Sequence, residues 1–371
     1  MEKIAFPLLY FVMYRAKWGV KAMDRMAKRY KQTVKWFGLI GIGFGVVGML
    51  LMSVELVRNA IMVFITEEVI PGVGVVLPIQ AKGVFFVPFI YWIISIFQVA
   101  SVHEFAHGVV ARRFGMKIKN SGLAFLGIIV PLVPAAFVEP DDKQMAKKRH
   151  LHQQAMFSAG PFINIIMGGL FFLLLIGIMI PLAQDISKVD GMEVVILAKG
   201  EGGKMFPAEA AGLSVGDVIT TLDGVPMDAL ENFTSILRDK HPGDTLAVET
   251  STKGKEHLTI TLTQKPKNAS LAYFGLSVSP HSIIAPAVKE RYGILADAFL
   301  WTTSLIFFMF LLNLGIGLFN LLPMGPVDGG RMLKLASTDL FGEKRGILVW
   351  KAVSYFFFAV LLFLLYNSFF G

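Results

Sequence analysis

The chain has 371 residues, 54% of them hydrophobic and 17% charged, with a mean hydropathy of +0.62. That balance is too apolar for a soluble globular protein of this size and marks an integral membrane protein. The net charge of +8 sits in clusters beside apolar runs rather than in one aromatic-interleaved patch, which speaks for membrane topology and against nucleic acid. The lack of cysteine excludes disulfides, thiolate metal sites and a cysteine nucleophile.

The first apolar stretch, residues 4–14, is interrupted by Pro7 and followed by Arg15 and Lys17 with no small-residue cleavage site. It does not read as a signal peptide and is expected to be interfacial. Residues 15–35 are dense in Lys and Arg against the single acid Asp24, so the positive-inside rule places them in the cytoplasm. A first span is predicted over residues 36–57. It contains Gly43-x-Gly45-x-x-Gly48, a dinucleotide fingerprint by letter. No strand precedes it, and glycines in a span let helices pack closely, so the nucleotide reading is rejected.

A linker with Pro71, Gly72 and Gly74 and a short β-like run at 73–77 should lie outside. The second span, residues 84–112, returns inward and carries His103-Glu104-Phe105-Ala106-His107 near its inner end, followed by Arg112, Arg113, Lys117 and Lys119. Two histidines four residues apart lie one above the other on a helix, so both imidazoles can reach one metal ion. Glu104 is offset by about 100°, where its carboxylate can hydrogen-bond a water at the metal instead of binding the metal. It is the candidate general base. Such residues inside a membrane span are costly without a function.

Residues 122–138 are apolar but broken by Gly127, Pro131 and Pro134, which predicts a re-entrant β-hairpin beside the metal helix, with an edge able to hold an extended substrate. Residues 141–152 return to the cytoplasmic surface, where His150 and His152 read as solvated histidines rather than ligands. The third span, 156–182, holds Gly160-Pro161-x-x-Asn164 in its first turns, where proline is tolerated. Asn164 is then a polar group entering the membrane next to the active-site layer, with helix joining by hydrogen bonds as the simpler alternative.

From residue 190 the pattern turns to period-two strands and charged turns, a soluble insert of about 90 residues that three crossings place outside. Its passage from Phe206 to Gly224 resembles PDZ domains of membrane and periplasmic proteases. A fourth span, 295–319, leads inward to Asn320-x-x-Pro323-x-x-Pro326-x-Asp328-Gly329, and a fifth, 347–369, leads outward. Catalytic zinc usually takes three protein ligands. Topology leaves Asp328 as the third, because it lies beyond the fourth span at the level of the two histidines.

These three motifs, in this order and with the PDZ-like insert, resemble the site-2 protease family of intramembrane zinc metalloproteases over about residues 84–334. The resemblance implies that His103, His107 and Asp328 bind one zinc ion per chain, that Glu104 is the catalytic base and that Asn320 lies near the metal. Val327 replaces the usual leucine before the aspartate and keeps its bulk. The expected fold class is a polytopic α-helical membrane protein of about five spans plus a re-entrant β-hairpin, with an inserted extracytoplasmic α+β domain. The division is 1–189, 190–280 and 281–371. The expected function is hydrolysis of peptide bonds in transmembrane segments of membrane-anchored substrates, pre-cut by another protease. The partners are those substrates and the lipid bilayer; the protein is a multi-pass cell-membrane protein with N-terminus and active site toward the cytoplasm. A metal transporter should repeat ionisable layers across the membrane, and a PDZ adaptor with a degenerate protease core should lack ligands; one layer with a full ligand set favours the enzyme.

Overall fold

The structure, a computed structural model, describes residues 3–4, 10–16, 19–65, 74–127, 133–200, 205–266 and 268–370. Pro71, Gly72, Val73 and Pro131 lie outside them. The chain divides into two compact units, residues 1–177 with 302–371, and residues 178–301. Five described helices are long and apolar enough to cross a membrane.

The membrane unit begins with strands β1 (Lys3–Ile4) and β2 (Tyr10–Ala16), then helices α1 (Val20–Arg29) and α2 (Lys31–Ile65). Strands β3 (Val75–Leu77) and β4 (Val84–Phe86) pair in parallel ahead of helix α3 (Phe89–Arg113). The second span therefore starts later than residue 84, because Val84–Phe86 is extended and Pro88 stands at the entry of α3. Strands β5 (Ile118–Gly127) and β6 (Val133–Pro140) form the antiparallel hairpin. After the short helix α4 (Asp142–Met145), helix α5 (His150–Leu174) begins earlier than the expected span. Pro161 is consequently inside α5, not in its first turn, since the helix already starts where the His152 and Gln153 amides bond the Arg149 carbonyl.

The described part of the N-terminal stretch is extended. β2 pairs with β5 from Tyr10↔Gly127 to Ala16↔Ser121, giving a four-stranded sheet in the order β1-β2-β5-β6. Its bulky apolar residues are strand formers as much as membrane-surface residues, and a neighbouring hairpin edge decides between the two. The outer edge of β5 is thereby occupied. Among the described strands β6 is the edge of this sheet on the hairpin side.

A π-helical stretch, Leu175–Met179, and helix α6 (Ile180–Ile186) lead into the second unit. Its elements are β7 (Ser187–Leu197), α7 (Pro207–Ala210), β8 (Val218–Leu222), β9 (Val225–Pro226), α8 (Leu230–Asp239), β10 (Thr245–Thr250), β11 (His257–Thr261), β12 (Thr263–Lys265), β13 (Asn268–Tyr273) and β14 (Leu276–Ile284). The main sheet runs β11-β10-β8-β7-β14 and is antiparallel throughout. Asp223 (φ 47°) and Gly224 (φ 77°) make the two-residue turn between β8 and β9, the Asp-Gly pair that such hairpins favour. Burial would raise the Asp217 carboxyl pKa, but the hydrogen bonds from Lys255 and the Ser214 amide outweigh it and hold the group below its ordinary value. Met192, Leu213, Ile219, Leu222 and Leu246 fill the core.

Helices α9 (Pro286–Tyr292), α10 (Ile294–Phe319) and α11 (Asp328–Phe370) complete the chain; α11 is broken at Gly342 (φ 74°, ψ 165°). Lipid offers no hydrophobic drive between spans, so small residues and polar pairs bring them together. A Cβ at Gly45 would stand 2.7 Å from Met332 Cε, and one at Gly48 2.4 Å from Leu321 Cδ1. Two of the three fingerprint glycines thus serve close packing of α2, while Gly43 has nothing within 4 Å. Asn313 Nδ2 on α10 donates to Gln98 Oε1 on α3 at 2.7 Å, a span-to-span bond worth about 0.6 kcal/mol in membrane proteins.

Candidate metal centre

His103 and His107 stand one turn apart on α3, each 8% exposed, and Asp328, 7% exposed, is the first residue of α11. The two Nε2 atoms are 3.0 Å apart. Asp328 Oδ2 lies 3.1 Å from His103 Nε2 and 3.2 Å from His107 Nε2. Tetrahedral zinc with bonds of about 2.05 Å sets its ligand atoms about 3.3 Å apart, so this donor set has the size and chemistry that zinc takes. Among the described residues these three form the one such group of His, Asp and Glu.

What surrounds the ligands fits a metal equally well. A Cβ on Gly160 of α5 would stand 2.4 Å from His107 Nε2 and 2.5 Å from His103 Nε2, so any side chain there would fill the space between the imidazoles. His107 Nδ1–H donates to the Met156 carbonyl at 2.6 Å, which leaves the Nε2 lone pair for a metal. Asn164, fully buried one turn beyond Gly160, sets its carboxamide 3.0 Å from His103 Nδ1. With the amide nitrogen toward the ring, Oδ1 is left without a partner. Turned by half a rotation, Oδ1 accepts Nδ1–H and His103 Nε2 is likewise free to coordinate. Asn164 thus lies beside the candidate metal group, against the ring of His103. Gly160 and Asn164 are spaced i, i+4 on one face of α5, and that spacing is the signal by which the sequence shows them as a unit.

The loop before α11 explains how Asp328 reaches this depth. The Gly329 amide donates to the Asn320 carbonyl at 2.7 Å, and Cβ atoms at Gly329 and Gly330 would collide with the Leu321 and Met324 carbonyls at 2.3 and 1.7 Å. Only glycine lets the chain fold back this tightly.

Glu104 and Asn320 line the same cavity as the three ligands, a space of about 300 Å3 closed partly by Phe137, Val138 and Phe157. Glu104 Oε2 accepts the Val138 amide of β6 at 2.9 Å. That contact, invisible in the sequence, orients the carboxylate. Asn320 Nδ2 donates one hydrogen to the Ile316 carbonyl at 3.1 Å and keeps its second. His150 and His152 stay outside the group: His150 Nδ1 meets Asp339 at 2.5 Å, and His152 stacks on Phe114.

A family model described as Peptidase family M50 matches residues 91–364, most of the chain, including all of these positions. The chain belongs to peptidase family M50. Membership in this peptidase family agrees with the described group that could hold a metal ion, His103, His107 and Asp328. This M50 protein is 29% identical over 347 residues to the uncharacterized protein MJ0971 of Methanocaldococcus jannaschii, a match covering 92% of this chain and 81% of that one. It is 25% identical over 257 residues to the zinc metalloprotease RasP of Shouchella clausii, covering 58% of each. The M50 protein thus spans little more than half of that relative's length. The PDZ domain of an SdrC-like protein from Listeria monocytogenes matches 24% of the chain and 87% of its own length at 29% identity, with a TM-score of 0.21.

Proposed function

We propose that this M50 protein hydrolyses peptide bonds within transmembrane segments of membrane-anchored substrates. The observation that carries the reading is the convergence of three buried ligand atoms, 3.0–3.2 Å apart, from two candidate membrane spans, with Glu104 in the same cavity. When bound, zinc supplies Lewis acidity that activates water and polarises a carbonyl. Glu104 takes the proton of the attacking water on its Oε1, since Oε2 is held by the Val138 amide, and returns it to the leaving amine. The second Asn320 amide hydrogen is available to steady the oxyanion or the substrate backbone. A helical substrate hides its own amides and must unwind before it can be cut, and β6 is the edge on which an extended segment would lie beside Glu104.

Replacing Asp328 with Ala removes one of three ligands and should weaken zinc retention by on the order of 100-fold or more, together with activity. Elemental analysis of the purified variant checks this; one tightly held zinc per chain would show that another residue is the third ligand.

Arg112 and Arg113 in the last turn of α3, with Lys117 and Lys119 after it, support an orientation with N-terminus and active site toward the cytoplasm and the insert outside. In that orientation the insert acts mainly as a size filter that admits substrates already shortened by another protease. Replacing residues 190–279 with a short flexible linker should then preserve cleavage of a trimmed substrate and permit cleavage of an untrimmed one. Loss of cleavage of the trimmed substrate, with zinc and the membrane fold retained, would point instead to peptide capture by the insert.

A further inference from the structure

The proteolytic site uses none of the basic residues gathered where α1, α2 and α3 meet at one end. A hollow of about 390 Å3 there is lined by Lys28, Lys31, Arg112, Arg113 and Lys117 around Asp24. A sixth base reaches its rim, for the Lys148 ammonium lies 3.2 Å from where a Cβ on Gly115, itself a lining residue, would stand. The carboxylate does not balance them: Asp24 is paired with Arg112. Arg113 gives its Nε–H to the uncharged Lys31 carbonyl at 2.7 Å. Among the described residues no carboxylate pairs with Lys28, Lys31, Lys117 or Lys148.

Like charges held around one concavity repel unless an anion occupies it, and the hollow concentrates their field. Its depth identifies the kind of anion. The candidate spans α2 and α3 begin at Lys31 and end at Arg113, so the hollow sits where apolar helix gives way to polar chain, the level of lipid phosphates. Helix α1 has the matching character. Met23 and Ala27 are buried, Met23 in the core that contains the α3 residues Ala106, Val109 and Val110, whereas Lys21, Arg25 and Lys28 are exposed.

We propose that this hollow binds a phosphate group, presented by an anionic lipid headgroup or free in solution. The full chain in detergent is titrated with dioctanoyl phosphatidylglycerol, dioctanoyl phosphatidylcholine and inorganic phosphate, with bound molecules counted by native mass spectrometry. The wild type should retain one phosphatidylglycerol in preference to phosphatidylcholine. The variant Lys28→Gln/Lys31→Gln/Lys117→Gln should lose affinity by on the order of 100-fold, as the removal of three bases near a headgroup predicts. The variant Lys344→Gln/Arg345→Gln/Lys351→Gln, which removes as much charge from exposed positions on α11, should bind as the wild type does. Phosphatidylglycerol that inorganic phosphate does not displace identifies a lipid headgroup; displacement at comparable concentration identifies free phosphate. Unchanged binding by the first variant, an equal loss in the α11 variant, or no binding of either phosphate source overturns the site.

Discussion

Glu104→Gln should stop peptide cleavage and leave zinc bound. The amide cannot take a proton from water, while its oxygen can still accept the Val138 amide that positions the side chain. Loss of a positioned base is worth about 10²- to 10⁴-fold in rate. His103, His107 and Asp328 are untouched, so elemental analysis should find one zinc per chain while product formation disappears. Turnover near the wild-type rate would remove Glu104 from the proton path and leave the Val138 contact as its role.

A methyl group at Gly160 should be nearly as damaging by a different route. The new Cβ would press on both Nε2 atoms at 2.4 and 2.5 Å, the two positions from which the metal must be approached. Either the rings turn away or α5 moves off α3, and overpacking of this kind costs about 1–3 kcal/mol before any zinc is lost. Gly160→Ala should therefore lose zinc and activity together. Gly169→Ala, nine residues later on the same helix with nothing within 4 Å of its Cβ, should lose neither. Zinc content of the two alanine variants decides the matter: an equally loaded Gly160→Ala protein would mean that this glycine is kept for another reason.

The spans and the histidine pair were legible because their signals are local. Apolar runs bounded by Arg and Lys mark α2, α3 and α10, and the i, i+4 histidines mark their own helix face. Asp328 was legible only through topology, since its distance from His103 in the chain says nothing and only a shared membrane depth brings the two together. The environment of the ligands was not legible. That Asn164 faces His103 Nδ1 and that the Val138 amide holds Glu104 depends on how α5 and β6 pack on α3, and neither pairing has a period in the sequence. The N-terminal strand was missed for a related reason: residues 10–16 have the composition of an interfacial segment, and only the edge of β5 turns them into β2. Pro161 misled because a proline suggests a helix start, whereas here the helix begins at His150 and carries the proline within it.

The most direct test of the account is to reconstitute the purified protein with a single-span substrate and locate the cut by mass spectrometry of the products, before and after zinc is chelated and restored. A cut inside the apolar segment should disappear on chelation and return with one equivalent of zinc per chain. A cut confined to the soluble flanks, or one indifferent to chelation, would contradict this reading.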